Sequence, residues 1–270
     1  MKKFASASLL LTVAAFLPTV AGATVVYDSN LSSNVITGNG IANGGFAVET
    51  EGAFEVGLRA RVRYPDPTNQ TNVRMGADGA GTEFYNHAVG GHTSGNLAAW
   101  NFDWSINVPA SDLNPGRLKG FSYELGIDYN PGIATTFLVF DPVNVTYADH
   151  SFGDNDTPQS EGVEILRTDS DKDTKYSALL EEFTLVQNSW NLGFFRDFLV
   201  PPLGFDPDAN GQYSIYLLIR DGNETVARTS IEVVVGSGAP TDPNPIPEPG
   251  TLALASLGLM GAWFARRRRS

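Results

Sequence analysis

Two loops carry acidic or amide side chains at every second position, a spacing at which oxygen ligands can surround one metal ion. The two sets are Asp169, Asp171 and Asp173, and Asp206, Asp208 and Asn210. The second set is followed by glycine, as in the opening of an EF-hand calcium loop. The bidentate glutamate of such a loop would stand eleven residues after Asp206, where this chain has Leu217. Calcium binding is therefore a hypothesis for both loops.

Both loops also have simpler explanations, which stay open. Lys172 and Lys175 can pair with the first set of carboxylates in a solvated loop. The second set has the composition of a polar turn before a strand.

A third polar cluster combines acids, an amide and a histidine around an aromatic residue. Its members are Asp149, His150, Asp154, Asn155 and Asp156, with Phe152 among them. Asp and Asn beside an aromatic ring are typical of loops that bind a sugar or a metal. Side chains of this kind also form turns without any ligand, because they hydrogen-bond the nearby backbone.

Signals for catalysis are weak. The chain has no cysteine, and its histidines are His87, His92 and His150. His87 and His92 are five residues apart, not four as in a helical zinc pair. The serine in Gly91–Gly95 stands one place too late for a nucleophile elbow. We therefore predict no enzyme activity, no catalytic residue and no resident cofactor, although a triad or a carboxylate pair assembled in space stays open.

Three tryptophans could pack in a core or stack on a sugar. Trp100 and Trp104 share the apolar side of an alternating segment, which predicts core packing. Trp190 stands between Ser189 and Asn191, and for it an exposed position is an equally good interpretation.

The elements that must position these residues are strands. Apolar and polar residues alternate over residues 54–64, 100–108 and 121–129, which predicts strands with one face on a core and one in water. The water-facing side of the first strand would be basic, with Arg59, Arg61 and Arg63. The water-facing side of the second strand would carry Asn101, Asp103, Ser105 and Asn107.

Further elements complete an all-β fold. Strands are predicted at 136–140 and 143–147, and a hairpin joins 213–220 to 225–235 through Asp221-Gly222-Asn223. Residues 175–182 fit one short helix. Loops are expected at 37–45, 65–96, 149–160 and 201–211. The sequence thus predicts an antiparallel β-sandwich, jelly-roll or immunoglobulin-like, of eight to ten strands over residues 24–238.

The first 23 residues have the pattern of a Sec signal peptide. Lys2 and Lys3 precede an uncharged apolar stretch, and Ala21-Gly22-Ala23 fits the small-x-small rule of signal peptidase. We predict a signal helix over 1–23 and cleavage after Ala23.

The last residues have the pattern of a membrane anchor. A proline-rich linker at 239–246 leads to Pro247, Glu248 and Pro249, and residues 251–265 carry no charge. This predicted transmembrane helix is short for a bilayer, but the four arginines that follow can snorkel to the headgroups. Those residues, Arg266, Arg267, Arg268 and Arg269, predict a cytoplasmic C-terminal end.

The order of tripeptide, apolar span and arginine cluster in residues 247–270 resembles the PEP-CTERM sorting signal of Gram-negative bacteria. The resemblance implies a tail that anchors the protein transiently in the inner membrane and is processed by an exosortase. It also implies hosts that make an exopolysaccharide matrix. The expected location is export through Sec, then the inner membrane, then the cell surface or the medium.

The net charge of the protein limits the classes of partner that it could bind. The net charge is −12, and without residues 1–23 and 247–270 the remaining 12 basic and 29 acidic residues give −17. Such a body excludes a nucleic-acid surface, which needs clustered Lys and Arg. Three hypotheses follow: a non-enzymatic surface or matrix protein associated with exopolysaccharide, a carbohydrate-binding module, with or without calcium, and a secreted glycan hydrolase.

Overall fold

The structure is a computed structural model. The residues that it describes are 24–37, 41–63, 73–74, 76–85, 97–110, 117–130, 132, 135–146, 149–166, 168–195, 206 and 209–236. Within them the chain forms two β-sheets and one α-helix. No helix in these ranges is long and apolar enough to cross a membrane. The predicted signal helix, linker and transmembrane span lie outside the described residues.

The first sheet has eight strands. Seven of them follow the spatial order β1-β2-β3-β7-β12-β10-β11, and β4 pairs with β3. Their bounds are β1 Val26–Ser29, β2 Phe46–Glu51, β3 Phe54–Val62, β4 Val73–Arg74, β7 Trp100–Asn107, β10 Ser151–Gly153, β11 Val163–Glu164 and β12 Leu185–Asn191. All pairs in this sheet are antiparallel.

The second sheet has six strands in the order β5-β6-β14-β13-β8-β9. Their bounds are β5 Gly76–Ala77, β6 Thr82–Tyr85, β8 Ser122–Asp128, β9 Phe137–Phe140, β13 Gly211–Asp221 and β14 Glu224–Val235. The β14–β6 pair is parallel and the others are antiparallel. The helix, α1, spans Lys172–Glu182.

One hydrophobic core takes side chains from both sheets and from α1. Trp100 and Trp104 of the first sheet and Tyr213 of the second are fully buried in it. The rings of Trp100 and Tyr213 meet at 5.8 Å between centroids. The alternation of each long strand explains this arrangement, since every second side chain points to the same face.

The predicted all-β class with antiparallel sheets and one short helix is confirmed. The strands predicted at 54–64, 100–108, 121–129 and 136–140 correspond to β3, β7, β8 and β9. The predicted hairpin is β13–β14, and Gly222 in its turn has a φ of +58°. The jelly-roll or immunoglobulin-like connectivity and the two terminal helices stay predictions.

Some local predictions were wrong. Residues 143–146 form no strand, because the Asp141 carboxylate accepts hydrogen bonds from the backbone N–H groups of Val143 and Asn144 and holds a turn. The predicted loops at 65–96 and 149–160 contain the short strands β4, β5, β6 and β10. Strands β1, β2, β11 and β12 lie where no strand was predicted.

Candidate functional site

The outer face of the first sheet, on the side away from the core, is polar across three neighbouring strands. The register places Asn101 of β7 between Arg61 of β3 and Asn191 of β12. One step along the strands, Asp103 lies between Arg59 and Ser189 in the same way. Each row brings together side chains that are up to 130 positions apart in the chain.

The prediction that Arg59 and Arg61 face water was wrong. Both are 4% exposed, and Asp103 between them is 0% exposed. The Arg59 Nε donates to Asp103 Oδ2 at 2.7 Å, and Arg61 Nη1 lies 3.4 Å from the same oxygen. The guanidinium of Arg59 also stacks on the Phe46 ring at 4.0 Å.

A stretch of chain between β1 and β2 buries these ions. We call residues 31–37 and 41–45 the cover segment. The backbone N–H of Val35 donates to Gln187 Oε1 at 2.7 Å, and that of Thr37 donates to Ser151 Oγ at 3.1 Å. Arg59 Nη1 donates to the carbonyl of Ala42 at 2.9 Å. The polar outer face therefore satisfies the backbone of a loop that crosses it.

A cleft of about 430 Å³ remains where the cover segment leaves the polar face open. Its polar lining includes Asn101, Ser151, Ser189 and Asn191, and its charged lining residues are Arg63, Asp149 and Glu164. Apolar side chains complete the rim: Ile36, Ile41, Leu97 and Phe194. The volume is within the roughly 300–1,000 Å³ of ligand pockets.

Hydrogen bonds fix the amide groups of the cleft. Asn191 Nδ2 donates to Asn101 Oδ1 at 2.9 Å and to the Ala98 carbonyl at 2.8 Å. Asn191 Oδ1 accepts from the N–H groups of Ala98 and Gly193, and Asn101 Nδ2 donates to Ser189 Oγ. These side chains are thus held in one orientation before any ligand arrives.

Two carboxylates line the end of the cleft formed by β10 and β11. Burial, and secondarily the charge of Asp149, raises the pKa of Glu164, while a hydrogen bond from Ser151 opposes the rise. The Ser151 Oγ lies 3.4 Å from Glu164 Oε1. Asp149 has a φ of +67°, a conformation that Asp adopts more readily than most residues.

The first acidic loop lies at the start of α1. The carboxylates of Asp169 and Asp171 lie 3.7 Å and 3.1 Å from Lys175 Nζ, and Asp173 stands in the first helical turn. Of the two lysines considered from the sequence, Lys175 is therefore shown to pair with these carboxylates. Acids in the first turn also suit the positive end of the helix dipole.

The second acidic loop is partly described. The hydroxyl of Tyr213 donates to the carbonyls of Asp206 and Ala209, which fixes the turn before β13. Asn210 is exposed, and Asp208 lies outside the described residues. In the part of the chain that the structure describes, no three His, Asp or Glu side chains form a group that could hold a metal. Calcium at either loop stays a prediction.

The third polar cluster is divided between two roles. Asp149 lines the cleft, whereas Asp154 Oδ1 accepts from the N–H and hydroxyl of Thr184 and Asn155 Oδ1 accepts from Asn107 Nδ2. Asp156 is exposed. Asp154 and Asn155 therefore hold the loop after β10 to the sheet.

His150 is a core residue. It is 1% exposed, its Nε2 lies 2.9 Å from the Pro142 carbonyl, and its Nδ1 lies 3.1 Å from Asn188 Nδ2. A donor at Nε2 and an acceptor at Nδ1 satisfy both contacts, so the geometry fits the neutral ring. His87 and His92 lie outside the described residues.

Trp100, Trp104 and Trp190 lie in the core. This confirms the predictions for Trp100 and Trp104, while the interpretation of Trp190 as exposed was wrong, since it is 9% exposed and packs against Trp104 at 5.3 Å. Phe194 at the cleft rim is aromatic and 49% exposed.

Several cleft residues were not proposed as a site from the sequence. Asn101 was predicted on an outward strand face, but Ser189, Asn191, Glu164 and Phe194 carried no signal of a site. One sequence signal could have indicated the site. Polar side chains alternate at Gln187, Ser189 and Asn191, and they continue on β12 the outward-facing polar pattern of β7.

The fold and cleft define a two-sheet β protein with a ligand-sized polar depression on one sheet. A family model for the PEP-CTERM protein-sorting motif matches residues 245–269. The chain therefore carries a PEP-CTERM sorting signal, as the resemblance indicated, and is an exported protein that an exosortase sorts toward the cell surface. Comparison with curated proteins and with solved structures gave no match. The predicted signal-peptide residues Ala21 and Ala23 and the sorting residues 247–249 and 266–269 lie outside the described residues.

Proposed function

We propose that this protein is a non-enzymatic surface or matrix protein whose β-sandwich binds exopolysaccharide in the cleft. The observation that carries the proposal is the cleft itself, a 430 Å³ depression lined by fixed amides, hydroxyls and one exposed aromatic ring. Amides and hydroxyls both donate and accept, which matches the hydroxyl groups of a sugar. Phe194 offers a face against which a sugar ring can pack.

The route to the surface completes the proposal. Residues 1–23 direct export through Sec, with cleavage after Ala23, and residues 251–265 hold the protein in the inner membrane until an exosortase acts. The sorting motif at 245–269 supports the second step. Deleting residues 247–270 should abolish processing and surface retention, as seen in the intact mass and the location of the protein. An unchanged mass and location would contradict this route.

Glycan binding is tested with the exported protein on a glycan array and by calorimetry with purified exopolysaccharide. We expect Phe194→Ala to weaken binding by about fivefold, the loss of about 1 kcal/mol of aromatic contact. The matched control is Val139→Ala, which shortens an exposed apolar residue on β9 of the other sheet. Equal effects of the two substitutions, or no binding by the wild type, would contradict the proposal.

Calcium assistance is tested in the same assay with and without a chelator. A loss of affinity on chelation that Asp206→Asn or Asp171→Asn reproduces would support a calcium site. A flat response would remove calcium from the proposal and leave the cleft as its basis.

A second candidate is glycan hydrolysis, favoured by one observation. Asp149 and Glu164 line the same cleft, and burial together with the charge of Asp149 raises the pKa of Glu164. Two carboxyl groups in one cleft are the side chains that a glycosidase uses as acid and base. Release of reducing ends that Glu164→Gln abolishes would support this candidate, whereas binding without release would favour the first.

A further inference from the structure

One end of the cleft is basic and the other is acidic, and the order of the strands in the first sheet sets this arrangement. Arg63 follows the end of β3, whereas Glu164 ends β11 and Asp149 lies just before β10. Between β3 and β11 the sheet runs through β7, β12 and β10. Four strand spacings of about 4.8 Å separate the backbones at the two ends by roughly 19 Å.

This separation leaves the two ends electrostatically distinct. The screening length is about 8 Å at physiological ionic strength, so one arginine at the β3 end contributes little at the β11 end. Among the cleft-lining residues that the structure describes, the basic one is Arg63 and the acidic ones are Asp149 and Glu164. The middle of the cleft is neutral, with Asn101, Ser189 and Asn191.

Glu164, at the acidic end, is an exposed side chain. Its described hydrogen-bond donor is the Ser151 hydroxyl, at the long distance of 3.4 Å. Burial and the neighbouring Asp149 raise the Glu164 pKa despite that bond. A cation placed beside Glu164 would stabilise its ionised form.

We propose that the cleft recognises a glycan containing hexosamine with free amino groups, and that the ammonium group sits between Asp149 and Glu164. This inference rests on the proposed glycan-binding function and names its ligand class. A uronate at the same end would place a carboxylate beside two others, so an acidic glycan would bind more weakly. The N-acetylated form keeps the ring and hydroxyls but loses the positive charge, which makes it the matched comparison.

The test uses calorimetry on the exported protein at low salt and at a pH where the amine is protonated. The probes are glucosamine oligomers, N-acetylglucosamine oligomers of equal length and oligogalacturonate. We expect the amine form to bind about fivefold more tightly than the N-acetyl form, the factor that one partly exposed ion pair can supply. Oligogalacturonate should bind most weakly.

Two variants locate the effect. Glu164→Gln should remove the preference for the amine, and so should Asp149→Asn, which suits the left-handed backbone at that position. Glu224→Gln is the matched control, because it removes one exposed carboxylate at the β13–β14 turn of the other sheet. An equal loss of preference in all three variants would mean attraction to the overall negative charge and would overturn the inference.

The remaining outcomes separate the two proposals. Equal binding of the amine and N-acetyl oligomers, unaffected by Glu164→Gln, would overturn the amine preference and leave glycan binding intact. Binding of none of the three probes, nor of purified exopolysaccharide, would overturn both.

Discussion

Asp103 is the residue on which the polar outer face of the first sheet depends. It is fully buried and is shared by two arginine side chains that are themselves buried. Removing a charge from water is unfavourable unless partners compensate it, and here each ion compensates the other. Arg59 in turn binds the cover segment, so one carboxylate supports the wall of the cleft.

Replacing this carboxylate should destabilise the protein strongly. We expect Asp103→Ala to lower the free energy of unfolding by about 3–5 kcal/mol, because it removes the buried carboxylate that two buried guanidinium groups contact. The control is Glu181→Ala, which breaks an exposed pair with Lys119 and should change stability by about 1 kcal/mol or less. Urea denaturation measures both, and similar losses would contradict the buried arrangement.

At the scale of elements, three glycines differ in what they permit. Gly222 and Gly52 sit in the hairpin turns β13–β14 and β2–β3 with φ of +58° and +61°, and nothing lies within 4 Å of a Cβ added at either. Gly126 of β8 instead leaves room for a neighbouring side chain to pack. A Cβ there would lie 2.0 Å from the Tyr216 ring, which crosses the strand at this point.

Alanine substitutions should separate these roles. Gly222→Ala and Gly52→Ala should each cost about 1 kcal/mol through backbone strain alone. Gly126→Ala should cost more, about 1–3 kcal/mol, because the Tyr216 ring must move. Chemical denaturation of the three variants tests this ranking, and a Gly126→Ala protein as stable as the turn variants would contradict the packing role.

Strands could be predicted from the sequence where a single strand has its own alternation of apolar and polar residues. Alternation in β3, β7 and β8 and the Asp221-Gly222-Asn223 turn are local signals, and those elements were found close to their predicted bounds. Strands such as β10 and β11 are two or three residues long and exist through pairing with distant partners. Strands of this kind are too short to show a local hydrophobic periodicity from which they could be predicted.

The candidate site could be predicted only in part for the same reason. The alternation of apolar and polar residues predicted that Asn101 and Asp103 face away from the core. It did not predict which segment covers them. The cover segment has no period of its own and is fixed by Gln187 and Ser151, more than 110 positions away. The cleft depends on the order of five strands, which only the three-dimensional structure supplies.

At the scale of the whole molecule, acidic side chains dominate the response to pH. Burial raises the pKa of Glu55, Asp128 and Glu232 above the ordinary values of 4.5 for Glu and 3.8 for Asp, although hydrogen bonds oppose each rise. Each group therefore holds its proton more tightly in the folded than in the unfolded chain. Their contribution to stability is complete below the unfolded pKa and is lost as pH rises through the folded pKa.

The free energy of unfolding should thus increase when the pH falls from 7 toward about 5. Weaker repulsion among surface acids acts in the same direction, but salt screens that part. The measurement is urea denaturation across this range at low and high salt. Glu55→Gln should flatten the pH dependence that remains at high salt, because the amide keeps an acceptor for Ser32 without titrating. The exposed Glu224→Gln should leave it unchanged. A stability that stays constant or rises with pH at high salt would show that the buried carboxyls do not take up protons on folding.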